Sequence, residues 1–149
     1  MDINRKLDLS IYYFVSDAFS DAPFVHVTDG FPEEGLTIPT IAVEADNIST
    51  YVAELGNRVR GKIRTWYADI YAADKAQRDE YAYRLLSAFE SNIPVYDYDE
   101  GFPPSSTPSR IGSIITDDIR LQIIKVLPEL TENMYYRSVV MVTGEYDPS

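Results

Sequence analysis

The stretch Arg58–Phe89 constrains the fold most. From Arg58 to Ala72 the chain is rich in Trp, Tyr, Ile and Val, and its cations alternate, the pattern of a long strand. Asp74 then opens a helix. Gln77 stands three residues on, a capping-box-like pairing with Asp where Ser or Thr is usual. Ala82, Leu85, Leu86 and Phe89 follow at i, i+3, i+4 and i+7, and Asn92 and Pro94 end the helix. A long strand that feeds an amphipathic helix needs neighbours to pair the strand and a sheet to cover the helix.

The rest of the chain supplies them. Leu7, Ile11, Phe14, Val15 and Ala18 recur at helical spacing, which predicts a helix from Ile3 to about Asp17. Short strands are expected at Phe24–Val27 and Thr40–Glu44, separated by turn residues from Thr28 to Gly35. Asp46–Asn57 fits either a short helix capped by Ser49 and Thr50 or an extended hairpin arm. Val95–Tyr98 reads as a short extended piece and Glu100–Arg110 as a proline-rich loop. Ile111–Thr116, Arg120–Leu127 and Tyr135–Tyr146 read as three further strands, the first two joined by a tight turn at Asp117-Asp118. Runs of strands broken by two helices imply a single α+β domain over 1–149. The expected architecture is a mainly antiparallel sheet with both helices packed on one face.

Composition removes whole classes of chemistry. The 149 residues contain no cysteine, so disulfides, thiolate nucleophiles and cysteine-ligated metals are out. The net charge of −11 disfavours sequence-independent DNA binding, which needs a basic surface. The N-terminal segment has mixed charge and lacks the apolar core of a signal peptide. The longest apolar run, Ile11–Val15, is far too short to cross a membrane, so a protein made and kept in a cytosol is expected.

The single histidine, His26, sits in a predicted strand without a nucleophile elbow, so it reads as structural. Asp97-Tyr98-Asp99-Glu100-Gly101 resembles the start of a calcium loop but lacks the later oxygen ligands. Gly61-Lys62 has no glycine-rich lead and is followed by Ile63, so it is not a phosphate loop. No catalytic residue, metal ligand or cofactor is assigned.

Two features point to protein contacts instead. Arg58, Arg60, Lys62 and Arg64 alternate along one strand and so project from one face, either a contact strip for an acidic neighbour or a solvated face. The twelve tyrosines are a type favoured at interfaces. Tyr96 and Tyr98, with Phe102 and Pro103 in the adjoining loop, are the interface candidates there. The loop sequence Glu100-Gly101-Phe102-Pro103 echoes Asp29-Gly30-Phe31-Pro32, and an exposed Phe in either is a candidate docking knob.

From Arg64 to Glu80, through Ile93-Pro94-Val95-Tyr96-Asp97-Tyr98-Asp99-Glu100-Gly101-Phe102-Pro103-Pro104, the chain resembles small neck and tail-completion proteins of tailed bacteriophages, especially the tail-terminator-like group. Ile38–Glu44, Glu54–Asn57 and the order of elements also fit. The resemblance implies an α+β subunit of a virion ring, usually of six copies. Such a ring stops the tail tube and joins it to the head connector. It implies no catalytic residues, no cofactor and no small-molecule substrate. It implies partners in the chain itself and in tail-tube or connector proteins, with DNA only passing through the channel.

A head–tail stopper or other connector subunit is the alternative within that class. A DNA-mimicking inhibitor is the rival from another class. It needs carboxylates in phosphate-like rows, whereas here they are spread beside a basic cluster. A carboxylate-dependent enzyme or small-ligand module is the third reading, and it needs a deep pocket with perturbed acids.

Overall fold

In a computed structural model of the chain, which describes residues 1–31, 37–52, 60–124 and 136–148, two aspartates start the two helices. The Asp2 carboxylate accepts the Asn4 N–H at 2.8 Å and opens α1, Ile3–Ala18. Asp74 accepts the Gln77 N–H at 2.8 Å and opens α2, Lys75–Phe89. Gln77 reaches back to the N–H of Ala73 at 2.9 Å, which completes the reciprocal cap one residue early.

The strands are β1 His26–Asp29, β2 Thr40–Val52, β3 Arg60–Ala72, β4 Ile93–Tyr96, β5 Arg110–Ile124 and β6 Tyr136–Asp147. They form one sheet in the order β1-β2-β3-β6-β5-β4. This sheet is mixed, which corrects the expectation of a mainly antiparallel one: β1 lies parallel to β2. Parallel neighbours usually need a long crossover. Here β1 is only four residues long, about 13 Å, so the link over residues 30–39 is long enough to return.

The expected stacking of both helices on one face is corrected as well. The sheet curls, and α1 touches both of its edge strands, β1 and β4, while α2 lies across β3, β5 and β6. Thus α1 sits partly off the sheet, in the gap between its edges. The Tyr12 hydroxyl donates to the Val27 carbonyl on the β1 side (3.2 Å), and Ser10 Oγ accepts the Tyr96 N–H on the β4 side (3.2 Å). Leu7, Ile11 and Val15 of α1 meet Tyr81, Ala82, Leu85 and Phe89 of α2 over Ile41, Val43, Trp66, Ala68, Ile70, Ile114, Val140 and Val142 of the sheet.

The predicted turn at Asp117-Asp118 is absent. β5 runs straight through it, with Thr116 opposite Gly144 and Asp118 opposite Thr143, so Asp117 is the extra residue of a bulge. Two adjacent aspartates suit a turn, but a bulge absorbs them at less cost than breaking a ladder already paired to β6. Of the two readings for Asp46–Asn57, the extended one holds as far as Val52, and 53–57 lie outside the described residues.

Candidate functional site

The basic strip divides along β3. Arg64 is buried, 4% exposed, and its charge is used inside the chain. One guanidinium nitrogen lies 2.9 Å from Asp8 Oδ1 and the other donates to the Asn4 carbonyl at 3.0 Å, both on α1. The group also lies 4.9 Å over the Trp66 ring. Arg64 is therefore a structural cation at the point where α1 stops covering β3. Lys62, two residues further out, is exposed and makes no ion pair among the described residues. Arg60 is in the strand opposite Val52, with its side chain outside the described residues, as is the whole of Arg58.

Beyond Arg64 the β2–β3 hairpin continues as an arm. Ile48 pairs with Arg64, Thr50 with Lys62 and Val52 with Arg60. Residues directly opposite share a face, so Ile48 and Lys62 lie on the side that α1 occupies further down the sheet. Ile48 is 43% exposed there. A bulge between Ala45 and Ile48 marks where the arm leaves the body.

The tyrosine candidates gather at the other end of α1. Tyr96 and Tyr98 meet edge to face, 6.4 Å apart; Tyr13 of α1 meets Tyr96 at 6.0 Å; Phe102 meets Tyr98 at 5.1 Å and Tyr12 at 5.7 Å. Phe102 is thus half-buried in an aromatic cluster, and it is Phe31 that stands exposed, with its ring edge on Tyr71. Pro103 is exposed on the loop. Tyr98 is buried, and loss of water pushes its hydroxyl up to about 12. Tyr13, Tyr96 and Tyr98 wall an open groove of about 440 Å³ whose far side is the loop Pro104–Pro108.

The calcium-like start is occupied by cations of the chain itself. Lys6 Nζ lies 3.1 Å from both Asp97 and Asp99. The N-terminal amino group lies 2.8 Å from Asp99 and, together with Lys6, holds that carboxyl down to about 2. Among the described residues no cluster of His, Asp and Glu is placed to hold a metal, and no helix is long and apolar enough to cross a membrane. His26 is exposed on β1.

Sequence reasoning missed Asp8, Tyr13 and Ile48 as residues of these surfaces. Asp8 gave no local signal, since only the crossing of α1 over β3 joins it to Arg64. Tyr13 was visible only as part of the tyrosine excess. No protein-family model and no curated protein sequence matches the chain.

Proposed function

We propose that this protein is a non-enzymatic structural subunit of a tailed-bacteriophage neck, which forms a ring that terminates the tail tube and joins it to the head connector. One observation carries the self-association in that reading: the β2–β3 arm. A two-stranded hairpin is marginal alone in water, and three or more strands or a helix beneath are needed to hold it. The arm past Arg64 pairs β2 with β3 and exposes Ile48 on one face. It is a piece of sheet that gains by meeting a neighbour. Lys62 gives it a cation to set against a body of net charge −11, whose exposed acids include Asp17, Glu90 and Glu100. An arm on one side and its receptor on another make a head-to-tail contact, and such contacts close into rings when the rotation permits. The choice of a phage neck rests on the sequence resemblance from Arg64 to Pro104.

The test is the mass of the purified protein in solution by sedimentation, with negative-stain images of any large species. Closed rings of about six copies with an open channel are expected. A protein that stays monomeric and also fails to bind phage tail tubes overturns the proposal.

A further inference from the structure

Two stretches of strand edge, on opposite sides of the sheet, lack a strand partner among the described residues. β1 pairs with β2 only from Thr40 to Val43, and β4 pairs with β5 only from Arg110 to Ile114. Among the described residues, Glu44–Val52 of β2 therefore pairs on its β3 side alone, and Ile115–Ile124 of β5 on its β6 side alone. Among the described residues each edge is a row of N–H and C=O groups without a strand partner, which natural sheets blunt with proline, charged side chains or bulges. Both segments have a bulge and charged residues before their exposed isoleucine, Glu44 and Asp46 on β2 and Asp117, Asp118 and Arg120 on β5. The stretches without proline, charge or bulge are therefore Ile48–Val52 and Leu121–Ile124. Each carries an exposed isoleucine, Ile48 at 43% and Ile123 at 42%.

We infer that these two edges are each other's partner between copies: β2 of one subunit adds to β5 of the next and continues the sheet from copy to copy. This rests on the self-association proposed above and specifies its contact. Three geometric facts support it. First, the strands alternate in direction from β2 through β3 and β6 to β5, so β2 of a neighbour related by rotation about an axis along the sheet meets β5 antiparallel. Second, Ile48 shares a face with Arg64 and Gly144, and Ile123 shares a face with Ser138, which is on the same side of β6 as Gly144. The two exposed isoleucines therefore meet on one side of the junction, as cross-strand apolar pairs do.

Third, the stagger that this pairing requires is compatible with closure. Ile48 lies level with Thr116, so setting it opposite Ile123 slides the copies by roughly six pleat steps, about 20 Å at ~3.3 Å per residue, once the bulged residue is discounted. The slide occurs across four strand spacings, about 19 Å. The resulting tilt of about 45° falls at the upper end of the range in which sheets close on themselves.

The chain has no cysteine, so introduced thiols report this contact alone. The experiment oxidises the double variant Ile48→Cys/Ile123→Cys and its two single variants. Both positions are exposed, and thermal melts check that the folds are intact. The double variant is expected to give a ladder of covalent multimers on denaturing gels. Mixing the two single variants should give dimers and nothing larger, and either alone should give no cross-link. Cross-linking of a single variant alone would mean a two-fold contact and overturn the inference. A double variant that forms rings without cross-linking overturns the edge pairing and leaves the ring standing. A wild-type chain that is monomeric at every concentration overturns the pairing whatever its binding to tail tubes.

Discussion

The charged atoms of Arg64 and Asp8 lie 2.9 Å apart, with Arg64 buried and Trp66 Nε1 donating to the same Asp8 oxygen at 2.9 Å. One carboxylate on α1 thus fixes two consecutive inward residues of β3. Breaking a buried pair leaves an uncompensated charge, and Asp8 is still partly open to water, so Arg64→Ala is expected to cost about 3 kcal/mol. Asp8→Asn keeps an acceptor for Trp66 but leaves the buried Arg64 cation without its counter-ion, so it should cost at least as much. Lys62→Ala, one step out on the same face, should stay within about 0.5 kcal/mol of wild type. Urea unfolding measures all three, and equal losses at Arg64 and Lys62 would refute this division of the strip.

The outer half of that strip has a different consequence. Lys62→Glu removes an exposed cation of the arm and adds to an already acidic surface. Self-association should weaken several-fold and no longer fall as salt rises, while the melting temperature stays put. Sedimentation across a salt series reads both. Unchanged assembly would return Lys62 to an ordinary solvated face.

In the core, Leu85 and Phe89 are fully buried on the inner face of α2, and Phe89 stacks on Phe14 of α1 with ring centroids 5.7 Å apart. Phe89→Ala should lower stability by about 3–5 kcal/mol through the lost transfer energy and the cavity left behind. Leu85→Asp buries a carboxylate without a partner and should prevent folding, seen as loss of the cooperative melt. A Leu85→Asp protein that melts like wild type would mean that this face does not point inward.

The helices were legible because their signals are local: Leu7, Ile11 and Val15, or Ala82, Leu85 and Phe89, repeat within one segment, and Asp74 and Gln77 lie three residues apart. The sheet's exceptions were not. The parallel entry of β1 depends on the direction in which it docks against β2, a choice that nothing within His26–Asp29 encodes. Asp117-Asp118 has turn chemistry, and only the opposing β6 ladder converts it to a bulge. Arg58, Arg60, Lys62 and Arg64 look equivalent in one dimension. Arg64 is singled out because α1 ends its coverage there, a fact of tertiary placement. The tyrosine excess located an aromatic cluster, yet not which members it buries: Tyr98 is inside and Tyr13 outside.

The bulge has its own vulnerable point in Gly144. A Cβ built there would sit 2.5 Å from the Ile115 carbonyl oxygen and 2.9 Å from the Ile114 side chain. The first neighbour is backbone and cannot swing away. Gly144→Ala should therefore pry β5 from β6 beside Asp117, at a cost of about 2–3 kcal/mol, the upper part of the overpacking range. Faster amide exchange at Ile114–Asp118 in the variant would be the local signature. Wild-type exchange there would show that the strands pass further apart.

Tyr98 gives the fold an alkaline limit. Burial raises its hydroxyl to about 12, against an ordinary value near 10 in the unfolded chain. Between those pH values the folded protein holds a proton that the unfolded chain has released, so stability falls as pH rises. The contribution is whole below pH ~10 and gone once the pH passes ~12. Tyr98→Phe keeps the ring that packs on Phe102 and removes the group that titrates. In that variant the decline in melting temperature over this window should be shallower, and ultraviolet titration should lack the late-ionising tyrosine. A variant with the same alkaline decline as wild type would assign the limit to other tyrosines, with Tyr67, Tyr71 and Tyr81 next in line, since burial raises each of them too.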